Sequence, residues 1–146
     1  TSERFDDLLR CRLLLEPEAA ALALPFLTAA DVQRLREIDA TLDAAVKNGD
    51  AGVYMQSNYD FHFTLYRAQP QKTLTQLIET LWLQFGPYMR VLYGRVPNAE
   101  LNDRHQTAIA AIEKQDATAL REAIAHDISD GMGLLGKSDL AVNPAR

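Results

Sequence analysis

The sequence has little of several features, and each scarcity excludes a class of protein. Its single cysteine, Cys11, forms neither an internal disulfide nor a CxxC metal or redox motif. No apolar run approaches the roughly 18 residues of a membrane span, and the charged start over residues 1–4 is unlike a signal peptide. There is no Gly-rich phosphate loop. These features favour a cytoplasmic protein without a membrane partner.

Positive charge is also scarce. The chain has 15 Lys and Arg against 20 Asp and Glu, a formal net charge of -5. An acidic chain repels phosphate backbones, so this chain by itself is a poor candidate for binding nucleic acid. Its 146 residues, 47% of them apolar, suffice for one domain with one core. Because an initiator Met is absent, we expect a fragment whose partner domain lies upstream.

The apolar residues that are present recur with helical periodicity throughout, and no segment alternates as a strand does. Thr28 and Asp50 are good N-caps, and Gly49 is a natural helix stop. The pattern predicts six helices, over about 5–24, 28–48, 51–68, 72–93, 98–115 and 116–135. Short connections make neighbouring helices antiparallel, so the predicted fold is all-α: one antiparallel bundle spanning residues 1–146.

Prolines mark the expected irregularities of this bundle. Pro17 is expected to bend or restart the first helix, and Pro87, after Gly86, to kink the fourth. Further breaks are expected near Pro70 and Pro97. The tail over residues 136–146 is expected to be frayed.

The three histidines, His62, His105 and His126, are the most informative residues of the chain. His105 and His126 lie about ten residues before and after the turn between the fifth and sixth helices, which places them at the same height in an antiparallel hairpin. His105 lies on the apolar stripe of the predicted fifth helix, whereas His126 lies nearer the edge of the apolar face of the sixth. His62 lies on the apolar stripe of the third helix, with Asn58 one turn before it.

Imidazole suits zinc, nickel, copper and iron. Three imidazoles and the Asn58 amide oxygen would leave coordination positions open, at which a small carboxylate could enter. The alternative is that these are ordinary core histidines in a structural or dimerisation module. A metal-dependent enzyme in a helical bundle, similar to the DinB-like transferases, is a second alternative. It needs a general base beside the metal, and only His126 has acidic residues one turn away, Glu122 and Asp130.

Two arginines are candidate effector ligands. The guanidinium groups of Arg12 and Arg90 are suited to paired hydrogen bonds with a carboxylate. The alternative for each is a plain surface ion pair.

Four motifs resemble a known family, the FadR C-terminal domain (FCD) of GntR-type transcription regulators. They occur in the family's order and cover most of the chain, from about Asp6 to Leu135. They are the first helix Leu9–Ala20 with Arg12 and Glu16, the Asp/Asn-x-x-x-His pattern as Asn58-Tyr-Asp-Phe-His62, Arg104-His105, and Ala123-Ile-Ala-His126. Two positions depart from the family pattern: Asn58 replaces the usual acid, and Pro70-Gln71 replaces a Gly-Asn.

The resemblance implies a sensory domain and not an enzyme. Its metal-binding members hold one divalent ion, commonly zinc or nickel, which implies Asn58, His62, His105 and His126 as ligands here. Their effectors are often small organic acids bound at or beside the metal. The regulators are dimers, and a winged helix-turn-helix domain, absent from this chain, precedes the FCD domain and binds DNA. The implied function is control of that domain in a bacterial cytoplasm.

Overall fold

The computed structural model describes residues 2–93 and 104–137 of the chain, and within these ranges it contains helices and no strand. The all-α prediction is therefore confirmed. The helices are α1 (Ser2–Ala23), α2 (Ala29–Asn48), α3 (Ala51–Tyr66), α4 (Thr73–Tyr93), α5 (His105–Glu113) and α6 (Ala117–Lys137), and a 3₁₀ turn (Leu24–Phe26) follows α1. None of the described helices is long and apolar enough to cross a membrane.

The predicted caps around α2 and α3 are present. The Thr28 hydroxyl accepts the Asp31 N–H, and the Asp31 carboxylate accepts the Thr28 N–H, which closes a capping box at the start of α2. Gly49 ends α2 at φ 70°, in the left-handed region that glycine adopts without strain. The Asp50 side chain then accepts the N–H of Val53 at 3.0 Å and starts α3.

The prolines behave differently from one another. The predicted break at Pro70 is present, because it lies between the end of α3 and the start of α4. Pro17 does not break α1, which continues to Ala23. Proline removes only one ladder hydrogen bond, and the fully buried Ala19 and Ala20 that follow hold this part of α1 in the core. α4 likewise continues through Pro87 to Tyr93. Pro97 and residues 138–146 lie outside the described residues.

The helices pack around one main buried region to which all six contribute. α1 packs against α6 and α4, α2 against α3, and α5 against α6. The largest fully buried side chains of the core come from α2 to α6 and include Leu35, Phe61, Tyr66, Phe85, Ile109 and Leu120. Several buried polar residues lie among them, and these are Arg12, Glu16, Asp39, Asn58, His62 and His105. Since burial of unpaired charge is costly, this polar group is where a functional site is expected.

Candidate metal centre

His62 lies on α3 with 1% of its side chain exposed, and neighbouring groups engage both ring nitrogens. Its Nδ1 is 2.9 Å from the Tyr66 hydroxyl, one turn further along α3. That hydroxyl donates its proton to the Glu16 carboxylate at 2.8 Å, so it must accept from His62 Nδ1–H. The proton of neutral His62 is therefore on Nδ1. Its Nε2 presents a lone pair and lies 3.0 Å from Asp127 Oδ2.

His105 is the first residue of α5 and has the same arrangement. Its Nδ1 is 3.1 Å from the buried Asp39 carboxylate of α2, which can only accept and therefore fixes the proton on Nδ1. The ring stacks on Phe61 with a centroid distance of 3.8 Å. Its Nε2 faces Asp127 Oδ2 at 3.9 Å. Both imidazoles are thus held at Nδ1 and turn Nε2 toward one carboxylate.

Asp127 lies on α6 and has 10% of its side chain exposed. Its Oδ1 accepts the backbone N–H of Arg104 at 2.9 Å, while Oδ2 faces the two histidines. Burial raises the pKa of Asp127, but a hydrogen bond and positive charge from His62 and the charge of His105, each in its protonated form, together with the Arg104 N–H, lower it by more. The net effect holds the pKa of this carboxyl well below its usual range, so Asp127 is an anion.

Three side chains converge here, and one ligand atom of each lies within 4.8 Å of the others: His62, His105 and Asp127, called the metal group below. In zinc sites, ligands bind at about 2.0–2.2 Å, so neighbouring ligands of one ion lie about 3.0–3.5 Å apart. Two imidazole nitrogens and a carboxylate oxygen also match the donors that zinc and nickel accept. In known metal sites, the ligating histidines are oriented by a hydrogen bond at their other ring nitrogen. Asp39 and Tyr66 make that hydrogen bond here. The residues present therefore fit a divalent metal ion.

His126 does not join this group, contrary to its place in the predicted ligand set. Its side chain is exposed on α6. Successive helix residues are rotated by about 100°, and the buried stripe of α6 runs through Leu120, Ala123, Ile124 and Ile128. Asp127 lies on that stripe and His126 lies beside it. The position of Asp127, three residues after Ile124 and four after Ala123, was the available signal in the sequence.

Asn58, the predicted fourth ligand, lies one turn before His62 and is 8% exposed. It lines a cavity between α3 and α4, with a volume of about 720 Å³, which also borders Tyr59 and Trp82. The Trp82 ring centroid is 5.4 Å from that of His62, so this cavity adjoins the metal group. A role for Asn58 as a metal ligand stays a prediction.

Arg12 is buried and its charge is already paired. Its Nε is 2.5 Å from Glu16 Oε1, and its Nη2 is 3.3 Å from Glu16 Oε2. The guanidinium also lies over the rings of Trp82 and Phe85, at 4.5 and 4.7 Å from the centroids. Burial lowers the pKa of Arg12, but Glu16 outweighs burial and the net pKa is raised. The side chain of Arg90, the other predicted effector ligand, lies outside the described residues.

Glu16 connects Arg12 with the metal group. Besides Arg12 it accepts the Tyr66 hydroxyl at 2.8 Å and the Trp82 indole N–H at 3.1 Å. Tyr66 in turn holds His62 Nδ1. A continuous chain of hydrogen bonds therefore runs from His62 on α3 through Tyr66 to Glu16 and Arg12 on α1.

Comparisons with known proteins agree on the kind of chain this is. A family model described as the FCD domain matches residues 7–130. The HTH-type transcriptional regulator McbR of Escherichia coli (strain K12) is 29% identical over 135 residues, which are 90% of this chain and 61% of that protein. The solved structure of E. coli McbR/YncC superposes with a TM-score of 0.87 at 28% identity, covering 93% of this chain and 66% of that one. The chain thus spans less than two thirds of either relative.

Proposed function

This chain belongs to the FCD domain family, and on that premise we propose that it is the effector-sensing domain of a bacterial GntR-type transcription regulator whose sensing depends on a bound divalent metal ion. The ion is held by His62, His105 and Asp127, with Asn58 as a weaker fourth ligand. The whole regulator is a cytoplasmic dimer that binds DNA through an upstream domain.

One observation carries the metal proposal. The lone pair of His62 Nε2 and the carboxylate of Asp127 face each other at 3.0 Å, and both groups are acceptors when His62 is neutral. A cation must lie between two such acceptors, and it is either a proton or a metal ion. The second imidazole, His105, turns its Nε2 toward the same oxygen. A single proton bridges two acceptors, whereas a metal ion coordinates three or more convergent ligands.

His62, His105 and Asp127 would hold the ion, which would supply positive charge to attract a small carboxylate effector. This chain's own residues connect the metal group to α1. His62 holds Tyr66, Tyr66 holds Glu16, and Glu16 holds Arg12. A change in the orientation of His62 would therefore alter the hydrogen bonds of Glu16 and Arg12 on α1. Ligand binding shifts the regulator between states to the extent that it prefers one arrangement of this network.

The alternative of an enzyme is excluded, because FCD domains belong to transcription regulators and not to enzymes. The alternative of core histidines in a structural module predicts the same burial without a metal. In that case a proton on His62 Nε2 bridges to Asp127. Elemental analysis distinguishes a metal site from a structural module.

We expect purified protein loaded with zinc or nickel and dialysed to retain one ion per chain. A screen of small carboxylates should then raise the melting temperature of the loaded protein by mass action and not that of chelator-treated protein. Retention of no metal, together with no thermal shift on adding zinc, would leave the structural module as the correct interpretation. A carboxylate that stabilises metal-free protein equally well would place its binding away from the metal.

Metal affinity should fall as the pH drops below about 6, because imidazole must be neutral to coordinate and its reference pKa is about 6.5. Asp127 does not contribute to this loss, since its pKa lies below the usual range and it stays charged. The measurement is the zinc dissociation constant by chelator competition, from about pH 5 to about pH 8, on both sides of the imidazole pKa. An affinity that is flat across this range would contradict coordination by histidine.

Substituting Tyr66 with Phe tests the orienting hydrogen bond. The variant removes the hydroxyl that accepts His62 Nδ1–H but keeps the buried ring. Loss of such a partner weakens metal binding by about 10–100-fold. Tyr59→Phe on the same helix is the matched control, because its hydroxyl accepts only from the exposed Arg67 among the contacts described. Equal zinc affinities for the two variants would mean that Tyr66 does not orient a ligand.

A further inference from the structure

The cavity between α3 and α4 has the character of a small-molecule site. Its volume of about 720 Å³ is within the roughly 300–1,000 Å³ usual for such sites. The walls are mainly apolar and aromatic, and Asn58 and Gln56 each contribute an amide, that of Gln56 already donating to Asp60 at 2.9 Å. The aromatic rings are those of Tyr59, Trp82 and Phe85, and the thioethers are those of Met55 and Met89.

These walls favour a planar ring over an aliphatic body. Aromatic rings attract one another edge-to-face or offset-stacked beyond the effect of their area, and thioether sulfur makes favourable contacts with ring edges. Tyr59 and Trp82 already pack edge-to-face at 5.7 Å within the wall, so the wall presents ring surfaces in more than one orientation. Gly86 lines the same cavity, and a Cβ built there meets nothing within 4 Å.

The charges around the cavity favour an uncharged ring. Among lining residues with described side chains, the one charged group is Glu79, which is paired with Arg67. Arg12 contacts the rings of Trp82 and Phe85 but is neutralised by Glu16 and does not line the cavity. These walls therefore offer an anionic substituent no cationic partner, whereas the Asn58 amide can hydrogen-bond a neutral polar group without leaving a charge unpaired.

We propose that the α3–α4 cavity binds an uncharged aromatic ring whose single polar substituent hydrogen-bonds Asn58. The inference rests on the proposed sensing function, since it names the chemical class of the effector portion held beside the metal. A ligand with this ring and a separate carboxylate would reach both the cavity and the metal.

Benzamide is the probe for the ring, and two relatives are its controls. Cyclohexanecarboxamide has the same amide on a saturated ring, and benzoate has the same ring with a charge. The readout is the indole N–H resonance of Trp82, the only tryptophan of the chain, in ¹H–¹⁵N spectra of the chelator-treated protein. Benzamide is expected to shift this resonance with an affinity in the roughly millimolar range of a small fragment. Cyclohexanecarboxamide and benzoate should each bind several-fold more weakly.

Two glycine variants locate the probe. Gly86→Leu places a side chain in the cavity, and Gly131→Leu places the same side chain in open space on α6. Leucine is a better helix former than glycine, so neither change weakens its helix. We expect Gly86→Leu to weaken benzamide at least about tenfold by filling the site, and Gly131→Leu to leave it unchanged.

Several results would overturn the inference. Equal binding of cyclohexanecarboxamide would remove the preference for an aromatic ring, and tighter binding of benzoate would remove the preference for an uncharged one. Equal benzamide affinity in the two glycine variants, or no shift of Trp82, would place the ring elsewhere. Zinc binding is measured separately on the unsubstituted protein. Absence of zinc binding with benzamide binding intact would reject the metal proposal alone, and zinc binding without benzamide binding would reject this inference alone.

Discussion

Replacing Asp127 with alanine is expected to weaken metal binding by roughly 100-fold, whereas replacing the neighbouring His126 with alanine should leave it intact. Asp127 Oδ2 lies 3.0 Å and 3.9 Å from the Nε2 atoms of His62 and His105. Structural zinc sites with four ligands bind with about 10–16 kcal/mol, and an equal share for one ligand is about 3 kcal/mol, or roughly 100-fold in affinity. His126 is exposed, and its loss removes no ligand atom from the group.

The measurement is the zinc dissociation constant by chelator competition, with elemental analysis after dialysis. Asp127→Asn is the second variant, because it keeps an acceptor for the Arg104 N–H while weakening the metal ligand. It guards against a loss of binding that comes only from a damaged fold. If His126→Ala loses the ion and Asp127→Ala keeps it, the ligand set predicted from the sequence is right and the geometric assignment is wrong.

Replacing Glu16 with alanine is expected to destabilise the protein more than any other single change in the network. The variant leaves Arg12 as a buried charge without its partner, and the Tyr66 hydroxyl and Trp82 indole lose their acceptor. Breaking a buried ion pair from one side costs about 3–5 kcal/mol. For a domain of this size, such a loss lowers the melting temperature by roughly 10 °C.

Two controls separate burial from charge. Glu18 lies on the same helix as Glu16, and Glu18→Ala removes only its exposed ion pair with Arg121 of α6. This variant should have a melting temperature close to that of the parent protein. The double variant Arg12→Met, Glu16→Leu removes both buried charges and should recover most of the stability lost in Glu16→Ala. Thermal unfolding of chelator-treated samples measures all of these proteins. If Glu16→Ala has the same melting temperature as Glu18→Ala, the Arg12–Glu16 pair does not contribute to stability.

Local sequence signals were sufficient for the caps of α2 and α3, but the predicted fifth helix, over about 98–115, was too long, because Arg104 is the N-cap and α5 covers only His105–Glu113. Thr28, Gly49 and Asp50 set the ends of α2 and α3 by caps that depend on a few adjacent residues. Pro17 was a misleading signal, because the missing hydrogen bond is a local cost and the burial of Ala19 and Ala20 in the core offsets it.

The sequence by itself determined the all-helical bundle, the family, and the burial of His62 and His105, because periodicity and motif order are properties of neighbouring residues. Only the tertiary structure decided that Asp127 and not His126 faces those histidines. Adjacent residues on a helix point about 100° apart, so the choice depends on how α6 is rotated against its neighbours. The contacts of Glu16 with Tyr66 and Trp82 were decided in the same way, since they form only when α1, α3 and α4 pack together.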